Sequence, residues 1–183
     1  LVKFCLSLPP LGFSFEKMAR HFISCFLLLI VCYNVNGWRN YWDMPLHFTC
    51  PSDQAIDFMT SIHDNKKEDR RWIFECRPIS GGQNCDWTGY VNDLDETFTF
   101  QCPGNGYITG IFSTHDNKKE DRRHKFKCCS PRDNSKINGC YYTGFTEYDK
   151  QLTKRVPNGY VWRGVHSQHN NKREDRIFNF MFC

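Results

Sequence analysis

The chain predicts an all-β domain: three pseudo-equivalent units of about fifty residues in one closed body, β-prism or β-trefoil-like, stapled by four disulfides. Three observations carry that expectation. One phrase occurs three times, as SIHDNKKEDRRWIFEC at 61–76, STHDNKKEDRRHKFKC at 113–128 and SQHNNKREDRIFNFMF at 167–182, at offsets of 52 and 54 residues. The end of each phrase alternates apolar and polar residues, and no segment has helical periodicity. Beyond an N-terminal leader the cysteine count is even.

Residues 1–17 precede Met18 and read as upstream sequence or an uncertain start. Residues 18–37 have the build of a secretory signal peptide: a basic start at Arg20, an apolar run from Phe22 to Tyr33, and small or apolar residues Val35 and Gly37. That run is too short to span a bilayer, and no other reaches spanning length, so a secreted protein without a transmembrane segment is expected. The mature domain is then 38–183, in three repeats at about 38–84, 85–139 and 140–183. The whole chain has a formal net charge of +4, which falls to +2 once residues 1–37 are set aside. So small a balance excludes bulk attraction to polyanions and gives no support for nucleic-acid binding; electrostatic recognition must come from local patches.

Each unit reads alike. A turn comes first, at Pro51-Ser52-Asp53, Pro103-Gly104-Asn105-Gly106 and Pro157-Asn158-Gly159. A short apolar strand follows, such as Tyr107–Phe112. Next is a wholly polar loop, HDNKKED or HNNKRED, and an alternating strand closes the unit. Closure would leave few exposed sheet edges. A two-sheet sandwich fits the period less well than a prism or trefoil.

Three of the eleven cysteines (Cys5, Cys25, Cys32) precede Trp38; an exported chain with the remaining eight reads as four disulfides. The repeats narrow the pairing. Unit one lacks the leading and fourth cysteine positions together, and unit three lacks the second and third together. Joint absence is what bonded partners leave, which gives Cys50–Cys76, Cys102–Cys128, Cys85–Cys129 and Cys140–Cys183. Along the closing strand Cys128 shares a face with His124 and Phe126 while Cys129 faces the other way. A swap between adjacent Cys128 and Cys129 stays open.

The loop cations Lys66, Lys67, Lys118, Lys119, Lys172 and Arg173, with Arg71 and Arg123 just beyond, are the candidate glycan-binding set. Pairs of cations on three related loops suit sulfated or carboxylated sugar polymers, with affinity that falls as salt screens it. The competing reading is a solvated loop of alternating charge. Asp69-Arg70, Asp121-Arg122 and Asp175-Arg176 read as structural ion pairs, because an arginine fork at the start of a core strand suits bidentate pairing of loop to sheet. His63, His115 and His169 recur at one position; they would suit zinc only if they met near an axis, and are expected as polar loop-entry residues. The acidic residues miss the spacing of a calcium loop, so neither a metal nor any other cofactor is expected. No HExxH, GxSxG or P-loop pattern is present, every mature cysteine has a partner, and an enzyme is not expected. Nor is there an N-x-S/T sequon in 38–183.

The phrases DRRWIFEC at 69–76, DRRHKFKCC at 121–129 and DRIFNFMFC at 175–183 resemble the three D-R-x-W-x-F/Y-x-C motifs of the dermatopontin family. Phe48-Thr49-Cys50-Pro51 and Phe100-Gln101-Cys102-Pro103 resemble that family too. Tryptophan stands in only one motif, His124 and Phe178 replacing it elsewhere, and the Tyr-rich acidic N-terminal stretch of vertebrate members is absent. The resemblance implies a small secreted matrix protein that binds proteoglycans, collagen or cell surfaces. Invertebrate members are similar and include haemagglutinating lectins and cnidarian cytotoxins. The function expected is therefore extracellular adhesion with lectin-like binding of acidic or sulfated glycans; the alternative is a secreted cytolytic or haemagglutinating toxin of venom type. The ligand's identity and the oligomeric state are not legible in the sequence.

Overall fold

Three long hairpins dominate the computed structural model, which describes residues 37–80, 83–132 and 136–183. The expected upstream segment and all but the last residue of the expected signal peptide lie outside the described residues. The chain runs β1 (Leu46–Thr49), β2 (Gln54–Asp64), β3 (Asp69–Pro78), β4 (Gln83–Trp87), β5 (Phe98–Gln101), β6 (Tyr107–Asp116), β7 (Asp121–Pro131), β8 (Tyr141–Phe145), β9 (Leu152–Arg155), β10 (Trp162–Asn170) and β11 (Asp175–Phe182), with no helix among the described residues. These strands form three sheets, ordered β1-β6-β7-β4, β5-β10-β11-β8 and β3-β2-β9.

The hairpins β2–β3, β6–β7 and β10–β11 are built from the three copies of the repeated phrase. Each hairpin is joined on its first strand by a short strand from a different copy. β1 adds to β6 (Leu46 opposite Ser113), β5 adds to β10 (Phe98 opposite Ser167), and β9 adds to β2 (Leu152 opposite Ser61). The chain therefore hydrogen-bonds each copy to another in a cycle, which pairs the outer side of β2, β6 and β10 and leaves the short strands at the sheet edges. Each first strand carries a bulge beside the joint, at Ile56/Phe58, Ile108/Gly110 and Trp162/Gly164. At Gly164 the crossing is so close that a Cβ would lie 2.5 Å from the Phe100 carbonyl oxygen, which only glycine permits.

Alternation on the closing strands supplies the core. Trp72 and Phe74, His124 and Phe126, and Phe178, Phe180 and Phe182 stack along β3, β7 and β11, and Trp72 and His124 both meet Phe178 edge-on, at 5.3 and 6.3 Å. The short strands add Phe48 over Phe74 at 5.0 Å and Phe100 over Phe126 at 4.9 Å. Each such ring contributes about 1.5–3 kcal/mol by burial.

The bridges are Cys50–Cys76, Cys102–Cys128, Cys85–Cys129 and Cys140–Cys183, the pairings that joint absence selects. Strand alternation decides between the adjacent thiols: Cys128 points into the main core, while Cys129 lies on the other face beside Ala55 and Tyr107. Where the third copy lacks the Cys102–Cys128 equivalent, Val156 and Phe182 are buried in the main core. Val156 keeps the backbone bond of its counterparts: its N–H reaches Asp57 O as those of Cys50 and Cys102 reach Thr109 O and Arg163 O.

Candidate functional site

The polar loop of each phrase is shorter than its composition predicts. The strands run to Asp64, Asp116 and Asn170 and resume at Asp69, Asp121 and Asp175, leaving four-residue turns. Asp64 Oδ1 accepts from the N–H groups of Lys66 and Lys67, Asp116 Oδ1 does the same for Lys118 and Lys119, and Asn170 Oδ1 holds Lys172 N–H. The Lys118 N–H in particular holds the Asp116 carboxyl below its ordinary range. Each turn closes on a glutamate in the left-handed region, Glu68, Glu120 and Glu174, with φ of 48°, 43° and 46°. Glutamate has no intrinsic preference for that conformation, which in an L-residue costs about 1–2 kcal/mol.

Behind the turns, the Asp–Arg dipeptides pair across copies and not within them. Arg70 grips Asp175 at 2.6 and 2.7 Å, Arg122 grips Asp69 at 2.6 and 2.7 Å, and Arg176 grips Asp121 at 2.5 and 2.6 Å. Every fork is bidentate, and all six residues are buried. Because each Asp is joined covalently to the Arg that reaches onward, the forks close a ring of six alternating charges. The Asp Oδ2 atoms accept one bond more, from the N–H groups of Asp43, Asp95 and Asp149. These three aspartates also have positive φ, between 59° and 64°.

Their side chains reach back to the turns: Lys67 lies 3.6 Å from Asp43, Lys119 2.7 Å from Asp95 and Arg173 2.6 Å from Asp149. The Asp95 carboxylate raises the Lys119 pKa. The second cation of each turn is therefore partnered though exposed, while Lys66, Lys118 and Lys172 project with no side-chain ion pair within 4 Å among the described residues. Arg71 and Arg123 are held by the carbonyls of Asn40 and Asn92, and their guanidiniums lie over Trp38 at 4.8 Å and Tyr90 at 4.3 Å.

The histidines differ most from their expected place. They sit inside β2, β6 and β10, and their rings are enclosed, with side-chain exposures of 0–1%. His63, His115 and His169 line one cavity of about 20 Å3, together with the Asp–Arg ring, the three turn glutamates, and the core rings of Trp72, His124 and Phe178. Burial raises the pKa of Glu120 and Glu174 despite a neighbouring histidine that lowers each, and Glu68 adds to the rise. Burial, with Arg176 and Arg122 adding repulsion, holds His124 well below the ordinary histidine range.

Composition alone does not mark two further sets of residues. Asn40 and Asn92 each accept from a backbone N–H of the closing strand and donate to a carbonyl on it, and Thr146 accepts from Phe178 N–H. Asp43, Asp95 and Asp149 likewise recur at the repeat offsets, and aligning the copies outside the phrase would have found both sets.

The sequence model of the dermatopontin family matches residues 40–183. A haemagglutinin/amebocyte aggregation factor from Limulus polyphemus is 41% identical over 149 residues, covering 80% of this chain and 87% of its own. A dermatopontin from Biomphalaria glabrata is 36% identical over 148 residues, covering 80% of this chain and 99% of its own. Millepora cytotoxin-1 from Millepora dichotoma is 39% identical over 145 residues, 79% of this chain but 65% of the cytotoxin's length. No solved structure matches the chain. With the motif triplet on the three closing strands and the match spanning all three hairpins, the chain belongs to the dermatopontin family.

Proposed function

We propose that the chain is a secreted extracellular-matrix or adhesion protein with lectin-like binding of acidic or sulfated glycans, acting by binding and not by catalysis. The observation that carries this reading is the position of the turns. Glu68, Glu120 and Glu174 line one cavity, so the three Lys-rich turns stand around one end of the molecule. Lys66, Lys67, Lys118, Lys119, Lys172 and Arg173 then form a single exposed rim and not three scattered patches. We read the cyclic strand pairing as a closed three-unit repeat, so that weak contacts at several turns would multiply along one polymer. A relative named as a haemagglutinin and aggregation factor supports an agglutinating role. Proteoglycans are the partner class that this rim fits, with collagen and cell surfaces as further matrix partners.

The test is heparin-column retention of the purified, disulfide-bonded protein beside a variant with all six rim cations changed to Ser. Wild type should need salt well above physiological to elute, and the variant should flow through. Co-elution would remove the rim from the binding site.

A second reading, a cytolytic toxin acting on membranes, draws on the cytotoxin relative and on exposed Tyr41, Met44, Trp87, Tyr141, Tyr142 and Phe145. Among the described residues no helix is long and apolar enough to cross a membrane. Dye leakage from vesicles at low protein concentration would favour this reading, whereas a matrix protein leaves them intact.

A further inference from the structure

The outward faces of the three hairpins are built differently. On β7 the residues that alternate with the core row are Arg123, Lys125 and Lys127, about 7 Å apart along the strand. At the equivalent positions β3 carries Arg71, Ile73 and Glu75, and β11 carries Ile177, Asn179 and Met181. The β7 row therefore concentrates three cations on one face. Arg123 lies 3.4 Å from Asp93, whereas among the described residues Lys125 has no side-chain ion pair within 4 Å.

Aromatic rings interleave with that row. The register sets Phe112 beside Lys125 and His47 beside Phe112, while Gly110 and Trp87 flank Lys127. Trp87 and His47 belong to the outer strands β4 and β1, yet their rings meet edge-on at 5.7 Å, so the indole reaches across the sheet. Gly110, on that path, has no side chain to obstruct it. Tyr90, just beyond β4, packs its ring against the Arg123 guanidinium at 4.3 Å and the Lys125 ammonium at 4.4 Å. Lys125 Nζ is also 5.7 Å from the Phe112 ring, which is 5.9 Å from His47. These contacts link the rings and cations into one continuous patch, in which Trp87 and Tyr90 stay 40% and 38% exposed. The third hairpin repeats the rings at Tyr142 and Phe145 but has Asn179 where β7 has Lys125.

Exposed rings with cations between them suit a flat ligand that is apolar on its faces and anionic at its edge. A pyranose of an acidic glycan is such a ligand: its axial C–H groups meet the negative face of an aromatic ring, and its sulfate or carboxylate projects sideways to a cation. We propose that the outward face of β1, β6, β7 and β4 binds one anionic pyranose residue, stacked on Trp87 and Tyr90 with its sulfate or carboxylate on Lys125. The inference takes its ligand class from the proposed glycan binding and adds a site away from the turns. The cation row begins two residues beyond Asp121, where the second turn ends, so a chain engaged at Lys118 can continue onto this face.

The disulfide-bonded protein, isotope-labelled for amide NMR, is titrated with a sulfated heparin disaccharide, with cellobiose and with a short polyglutamate peptide. The heparin disaccharide should give saturable shifts of the Trp87 indole N–H and of the Gly110, Phe112 and Lys125 amides, weakening as salt is added. Cellobiose and polyglutamate should each bind roughly tenfold more weakly, since one lacks the charge and the other the ring. Trp87→Ala should lose about tenfold in affinity and Lys125→Gln about threefold. Both side chains lie on the solvent side of the sheet, so both variants keep the core. Shifts confined to the three turns would overturn this site and leave the rim standing. Saturable shifts at neither surface would overturn it while the heparin column still judges the rim. Polyglutamate binding as tightly as the disaccharide, or unchanged affinity in Trp87→Ala, would overturn it too.

Discussion

Lys119–Asp95 and Arg122–Asp69 are ion pairs of nearly equal length, 2.7 and 2.6 Å, whose cations stand three residues apart in the same repeated phrase. Their surroundings differ. The Lys119 side chain is 56% exposed, whereas Arg122 and Asp69 are 6% and 1% exposed. In water the attraction of the first pair is screened and offset by the entropy of holding a long side chain still. Inside the ring, each ion has exchanged its hydration for a bidentate fork and a backbone bond, and removing one partner strands the other. Equal distances thus conceal unequal roles: enclosure decides which pair holds the hairpins together and which exchanges readily with water.

The largest effect that separates the two regions should come from Arg122→Met. It leaves Asp69 buried without its fork, with the Asp43 N–H bonded to it and His115 Nε2 4.0 Å away, and should cost about 3–5 kcal/mol in denaturant unfolding with disulfides intact. Adding Asp69→Leu should recover much of that loss, because the stranded charge goes with it. Arg176→Met on top of Arg122→Met should cost less than it does alone if the ring acts as a unit. Strict additivity would mean three independent pairs and would break the picture of a ring.

What the sequence shows of this arrangement follows from what is local. Alternation in RRWIFEC and RRHKFKCC is a property of a single strand, so the core faces and the split between Cys128 and Cys129 are legible without a fold. Joint absence of cysteines is likewise a comparison between copies. The forks are another matter: Asp69 and Arg70 are adjacent in a strand, where neighbouring side chains point to opposite faces, so they cannot grip one another. Their true partners, Arg122 and Asp175, are set by how the three hairpins close, and nothing in one copy encodes that. HDNKKED is polar throughout, so sequence places the histidines in the loop, yet the hairpin ladders reach Asp64 and Asp116 and carry His63 and His115 inward. The left-handed glutamates give no sequence signal either, since that conformation is one that Asn or Gly would announce and Glu does not.

A smaller effect, specific to the enclosed region, concerns His124, which occupies the core position held by Trp72 and Phe178 in the other copies. Its pKa is lowered well below 6.5 by burial first and by Arg176 and Arg122 second. A base depressed in the folded state contributes stability that is present above its unfolded pKa and lost as pH falls through it, because the unfolded chain takes the proton first. Below pH of about 6.5 the loss should approach about 1.4 kcal/mol per pH unit from this one group. His124→Phe should remove that loss, while Asn92 keeps its bond to the residue-124 N–H. Urea midpoints at pH 7.5 and pH 5 check it: wild type should lose more than the variant, and equal losses would mean that His124 reaches water.

The smallest effect should be that of Lys119→Ser, and its smallness is the informative part. Asp95 keeps its backbone bond to Asp121 without Lys119, so the ring is untouched and the denaturation midpoint should not move. In a double-mutant cycle with Asp95→Asn, which preserves the positive φ at that position, the coupling should be weak in dilute salt and vanish at high salt. The sharper measurement is heparin retention of Lys119→Ser beside Lys118→Ser. Among the described residues Lys118 has no competing side-chain ion pair, whereas Lys119 must leave Asp95 to meet a sulfate, so losing Lys118 should lower the eluting salt more. Equal shifts would mean that a polyanion displaces Asp95 at no cost, and that the two cations of each turn form one binding surface despite their different partners.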